Sequence, residues 1–225
     1  MNNALDFLER DYALNYPLIY ALKHGAELIG ANENGVAVYR SRPVFMLLAG
    51  PNPLDLVREL PQPDLIEICG GQNAKAVAAH FGLEGSMECF QFYYPHPAIQ
   101  SDLQLEPAAL PDLGFILAHY DRLEPDEIEQ AILENRLFIL RDGGGPFAFI
   151  GLHDDFSMGM LFILPEYRRK GWAERLERAL TARVLEMGEL PYGHVFIDNE
   201  NSLRLQEKLG FIRCSDTVFW MWKGE

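Results

Sequence analysis

Apolar residues recur along this chain at intervals that change from stretch to stretch, and each change marks an element. Ala4, Leu5, Leu8, Tyr12 and Leu14 predict an opening helix, and Tyr16–Lys23 predicts a second, ended by His24-Gly25. Strand-like runs follow at 27–31, 36–40 and 44–49, with Asn34-Gly35 as a hairpin turn between the first two. Residues 51–60 predict a short helix, 65–69 a buried strand, 73–81 a helix closed by Gly82, and 86–94 a strand. Pro95 and Pro97 then break the chain. In the second half, 103–106 predicts a strand, 110–120 and 125–135 two helices, and 137–140 and 147–152 two strands. The triplet Gly143-Gly144-Gly145 joins strand to strand and does not open a helix, so it predicts a hairpin turn and not a nucleotide loop. The run 156–164 predicts a buried strand, stopped by Pro165, which has no backbone donor. Trp172, Leu176, Ala179, Leu180, Val184 and Met187 then recur at helical spacing. Residues 192–198 alternate as a strand. Ser202, Leu205 and Leu209 line a last helix stopped by Gly210, and 211–222 is the final strand, whose aromatics Phe219, Trp220 and Trp222 predict packing.

The junction after the strand at 156–164 is chemically distinctive. It reads Pro165-Glu166-Tyr167-Arg168-Arg169-Lys170-Gly171-Trp172-Ala173. The first turn of a helix has N–H groups without partners, at the positive end of its dipole. Gly171 and the small Ala173 let a ligand approach that backbone, and Arg168, Arg169 and Lys170 add positive charge. Such a junction suits a phosphate or pyrophosphate. The plainer alternative is a basic helix start with solvated arginines.

Two segments carry a resemblance. Arg168-x-x-Gly171-x-Ala173 after a strand is similar to the coenzyme A pyrophosphate signature of the GCN5-related N-acetyltransferases (GNAT superfamily). Asp198-Asn199-Glu200-Asn201-Ser202, followed by Leu209-Gly210-Phe211, resembles the second hallmark of that superfamily. With Pro191-Tyr192-Gly193-His194-Val195, the pattern looks most like the glycine N-acyltransferase-like branch. The resemblance implies an α/β (α+β) chain with the GNAT acyl-CoA N-acyltransferase fold. Residues 1–97 repeat the element order helix, helix, three strands, helix, strand, helix, strand, so we expect a tandem: a degenerate GNAT-like domain over 1–97 and a catalytic one over 98–225. The counterpart of the phosphate loop in the first half, Ala49-Gly50-Pro51-Asn52-Pro53, has prolines in place of donors and no cation. An unrelated α/β cap is the alternative for 1–97.

Composition narrows the function classes. The chain has 225 residues, enough for one large domain or two small ones. A formal charge of −14 argues against nucleic acid as a partner and against a tRNA-dependent aminoacyl transferase. Three cysteines without a Cys-x-x-Cys suggest neither a disulfide framework nor a zinc cluster. No signal peptide or membrane-length apolar run is read, so the expectation is a cytoplasmic protein with no membrane or metal partner, as monomer or homodimer.

The resemblance further implies direct transfer of an acetyl or other short acyl group from acyl-CoA, the co-substrate, to the amine of a small molecule or amino acid. Backbone groups of Phe162, Ile163 and Leu164 would face the pantetheine and thioester carbonyl, and an N–H there would stabilise the oxyanion. Arg168, Arg169, Lys170, Gly171, Trp172 and Ala173 would bind the pyrophosphate, with Asn199 and Ser202 holding coenzyme A or a water. The attacking amine must lose a proton. His194, on the strand beside the expected splay, is the candidate base, with Asn199 the second candidate catalytic residue. His194 could equally be a packed histidine, and Asn199 a helix cap. Gln206 stands where many superfamily members carry a tyrosine acid, and 157–164 lacks the glutamate that others use as base. Asp154 and Asp155 lie in a turn, either solvated or recognising a substrate ammonium. A coenzyme A-binding or sensor module without catalysis is the competing function.

Overall fold

The computed structural model describes residues 2–41 and 44–224. In chain order the elements are α1 (Asn2–Leu8), α2 (Tyr16–Lys23), β1 (Glu27–Asn32), β2 (Gly35–Ser41), β3 (Val44–Ala49), α3 (Leu54–Val57), β4 (Leu65–Cys69), α4 (Ala74–Phe81) and β5 (Gly85–Tyr93). Then come β6 (Glu106–Pro107), α5 (Leu113–Leu117), α6 (Pro125–Leu133), β7 (Leu137–Asp142), β8 (Gly145–Leu152), β9 (Met158–Ile163), α7 (Trp172–Glu186), β10 (Tyr192–Phe196), α8 (Glu200–Leu209) and β11 (Ile212–Trp222). The order helix, helix, three strands, helix, strand, helix, strand occurs twice, from α1 to β5 and from α5 to β11.

The chain divides into two compact units. One comprises residues 1–93, 194–203 and 212–225; the other comprises 94–193 and 204–211. The first unit thus takes in two segments from the second half of the chain.

In the first unit the strands run in the order β1-β2-β3-β4-β11-β5. β3 and β4 are parallel and in register over five pairs, Phe45–Leu65 to Ala49–Cys69. β11 lies antiparallel between β4 and β5, so the last strand of the chain completes the sheet begun by the first half. β11 is rich in β-branched and aromatic residues, among them Thr217, Val218, Phe219, Trp220 and Trp222, as a pleated, half-buried surface favours. Leu48, Ile66, Ile68, Val77 and Phe81 pack α3 and α4 against the sheet in one apolar core.

In the second unit the order is β9-β8-β7-β6, all antiparallel. The glycine triplet forms the β7–β8 hairpin, pinned by the Gly144 N–H on Asp142 Oδ1 at 2.8 Å. Ile116, Ile128, Ile132, Leu137, Ile139, Phe149 and Met160 form the core beneath α5 and α6. Two expectations are corrected here. The strand placed at 103–106 is only Glu106–Pro107, since Pro107 has no N–H and the ladder ends with the Ala108 N–H on Leu137 O. The helix placed at 110–120 is a 3-10 turn over Leu110–Asp112 followed by Leu113–Leu117. Asp112 interrupts it by accepting the Ala109 N–H and pairing with Arg141 through both oxygens.

Candidate functional site

The site is built where β9 ends. A β-bulge interrupts its pairing with β8: Phe149 pairs with Phe162 and Gly151 with Gly159, so Met160 and Leu161 oppose the single residue Ile150. Met160 takes a positive φ of 51° there while its side chain stays in the core. β10 meets β9 in parallel at one pair, Gly193–Met158. Gly193 is required at that contact, because a Cβ would stand 2.8 Å from Met158 O. Beyond Met158, β9 runs on to Ile163 bonded to β8, with no register partner on its other edge among the described residues. The Leu164 N–H bonds Phe147 O at 2.9 Å. Hydrogen-bonded positions alternate in an antiparallel ladder, so the N–H and C=O of Ile163 face the free edge. Arg168 Nε donates to that carbonyl at 2.9 Å and folds its side chain back on the strand end.

The turn between β9 and α7 is held open by its own contacts. Pro165–Tyr167 forms a 3-10 turn, and the Tyr167 ring stacks on Phe147 with centroids 4.2 Å apart. Arg168 is extended, Arg169 takes φ 59°, and Gly171 takes φ 84° at the N-cap of α7. A Cβ at Gly171 would meet nothing within 4 Å among the described residues, so the space on that side of Gly171 is clear. The first helical hydrogen bond is from the Arg175 N–H to Gly171 O at 3.2 Å. The N–H groups from Arg169 to Glu174 have no acceptor among the described residues. Arg169 and Lys170 are exposed and make no ion pair among them; Lys170 lies over the Tyr167 ring at 5.3 Å. Trp172 is half-buried, packing edge-on against Phe147 and beneath the Arg175 guanidinium at 4.5 Å. Ala173 follows in the first turn, half-buried. Unpartnered amides, a dipole and two free cations converge on open space, which is a binding geometry for phosphate oxygens.

The corresponding loop of the first unit is closed. Gly50 has φ 112°, and a Cβ there would lie 2.6 Å from Gly35 Cα and 2.8 Å from the Phe7 ring. The Asn52 N–H is used by Asn34 O at 2.8 Å, and the helix that follows, Leu54–Val57, is one turn long.

The inner face of α7 carries a residue that sequence reasoning missed. Glu177 is 6% exposed, and its Oε1 accepts from Gln206 Nε2 of α8 at 3.3 Å. Burial pushes its carboxyl up to about 7, partly offset by that hydrogen bond. Its spacing from Ala173, Leu180 and Val184 was the available signal, because it puts an acid on the apolar stripe. Three residues earlier, Glu174 binds Arg178 and Lys208, and both hold its carboxyl below the ordinary value.

Of the other predicted residues, His194, Asn199 and Ser202 group with the first unit. His194 Nδ1 accepts the Trp220 indole N–H at 3.4 Å, so Nε2 carries the proton. Nε2 lies 2.9 Å from Gln91 Oε1 and 3.6 Å from the buried Glu67 carboxylate. Asn199 caps α8: its Oδ1 accepts the Ser202 N–H at 3.2 Å. Phe162, in the second unit, stacks on Phe149 at 5.4 Å and carries the Arg168 guanidinium at 5.8 Å. Asp154 pairs with Arg136 at 2.5 Å. Asp155 is buried, not solvated, and accepts both the N–H and hydroxyl of Ser157.

The family model described as FR47-like protein matches residues 148–221, which contain the bulged strand, the open turn and α8. No curated protein matches the sequence. Solved structures match most of the chain at low identity. A Drosophila protein is 16% identical with a TM-score of 0.65, covering 84% of this chain and 74% of its own. A putative acetyltransferase from the GNAT family of Novosphingobium aromaticivorans is 20% identical with a TM-score of 0.55, covering 87% and 91%. A tandem GNAT protein from the clavulanic acid biosynthesis pathway is 14% identical with a TM-score of 0.50, covering 92% and 87%. The fold is that of the GNAT acetyltransferases.

Proposed function

We propose that this chain is an acyl-CoA-dependent N-acyltransferase, moving an acetyl or other short acyl group to the amine of a small molecule or amino acid by direct attack. The observation that carries the reading is the turn at Arg169–Glu174, whose unpartnered amides and free cations face clear space at the end of a strand with an open edge. Coenzyme A fits it by charge, with its diphosphate on the turn and pantetheine along the free edge of β9. Ile163 N–H then supplies a donor for the thioester oxygen as charge develops. Phe162, Ile163, Leu164 and Arg168–Ala173 form the proposed cofactor site.

His194 keeps the base role under one condition. Its lone pair is at Nδ1, covered by the Trp220 N–H, so a proton enters only when that bond opens. Glu67, 3.6 Å from Nε2, would stabilise the imidazolium formed. The same covered nitrogen favours the second reading, a coenzyme A-binding module without catalysis. Calorimetry with coenzyme A tests binding, and thiol release from acetyl-CoA across a panel of amines separates the two readings. Acyl transfer predicts both signals, and a binding module only the first. Absence of heat at millimolar ligand removes both.

A further inference from the structure

Glu177 occupies a revealing level of α7. It lies six residues beyond Gly171, about 9 Å along the helix, and one turn before Thr181. The Thr181 hydroxyl reaches the Met158 sulfur at 4.0 Å, which fixes Thr181 beside the start of β9. Glu177 therefore stands level with the stretch of β9 whose outer edge is free. A thioester carrier with its diphosphate at Gly171 and its arm along that edge would pass at the level of Glu177 and of its hydrogen-bond partner Gln206.

Among the described residues the pair is isolated from other charges. β8 and β9, on which α7 packs, contain no ionisable residue. From α8, Arg204, Glu207 and Lys208 are exposed, and Lys208 is bound to Glu174. On α7, Glu174 and Arg178 bind one another, and Arg175 is held by Asp102 of the preceding segment. Glu177 Oε2 is buried and has no hydrogen-bond partner among the described residues. A buried carboxyl oxygen without a partner costs stability when the group is ionised, and protonation relieves that cost.

We propose that Glu177 is a proton-linked positioning residue for acyl transfer, setting which end of the Gln206 amide is turned toward the acyl carrier. This rests on the acyl-transfer reading above. An ionised Glu177 only accepts, so it holds Gln206 Nε2 inward, as found here, and leaves the amide oxygen outward. A protonated Glu177 can donate, so it can take the amide oxygen and turn the NH2 group outward. That second state alone offers a donor to the negative charge that builds on the thioester oxygen and departing sulfur. The proton stays on Glu177 throughout, and no bond to the substrate is made.

Two measurements on the full chain test this. In the ligand-free protein, the Gln206 side-chain amide signals in nitrogen NMR should titrate near neutral pH in the wild type and stay fixed in Glu177→Gln. In turnover with an aromatic amine, which is already neutral above pH 6, wild-type kcat should fall about tenfold as Glu177 ionises, the loss of one donor. Glu177→Gln should lack that fall, and Gln206→Leu should sit at the low value throughout. Coenzyme A affinity should stay within about twofold in both variants, since neither touches the phosphate turn. A Gln206 amide that does not titrate, or a Glu177→Gln variant that keeps the wild-type fall, overturns the proposal even if the enzyme is active. A titrating amide in a protein that releases no thiol overturns the acyl-transfer reading and this role with it.

Discussion

At the scale of single residues, Glu177 is the sharpest case of burial setting chemistry. Its folded pKa of about 7 lies above the ordinary 4.5, so the folded state holds a proton that the unfolded state has released between those values. Stability from this group is full below 4.5 and is lost as pH rises through 7, by about 3 kcal/mol at 1.36 kcal/mol per unit. Glu177→Gln should remove that slope, so denaturant melts of the two proteins should diverge with rising pH in favour of the variant. Parallel curves from pH 4.5 to 8 would contradict the assignment. Arg168 acts differently, by capping Ile163 O and bringing charge to the turn. Arg168→Ala should weaken coenzyme A about tenfold, as the loss of a charge-assisted contact does, with little change in kcat. His194→Ala should lower turnover and leave coenzyme A binding intact, and unchanged turnover would assign proton removal elsewhere.

At the scale of elements, the bulge in β9 and the left-handed glycine before α7 work together. The bulge lets β9 run past its single pair with β10, and Gly171 turns the chain so that the helix amides face out. Any side chain at Gly171 meets clear space yet must adopt φ 84°, which costs about 1–2 kcal/mol. Gly171→Val should therefore melt lower and bind coenzyme A weakly, because its side chain fills the space the diphosphate needs. Asn199→Ala should cost about 1 kcal/mol through loss of the α8 cap, measured in urea. A larger fall in coenzyme A affinity than in stability would show that Asn199 also touches the ligand.

At the scale of the whole molecule, the element order was legible because period and punctuation agreed. Tyr16–Lys23, Val44–Ala49 and Leu65–Cys69 fall where the apolar pattern put them, and the glycine triplet makes the hairpin its context required. The open turn was legible from Arg168-x-x-Gly171-x-Ala173, since it depends on neighbours in sequence. Partnerships across sequence were not. Nothing local says that β11 inserts between β4 and β5, that Trp220 covers His194, or that Gln206 meets Glu177. The helix at 110–120 was overestimated because Arg141, 29 residues away, draws Asp112 out of the pattern. The central claim is that backbone amides at the β9–α7 turn grip the diphosphate of a thioester carrier, and amide NMR during titration with coenzyme A reads those groups directly. The account predicts saturable shifts concentrated at Ile163 and from Arg169 to Glu174; silence of those amides at millimolar coenzyme A, or shifts confined to other segments, would contradict it.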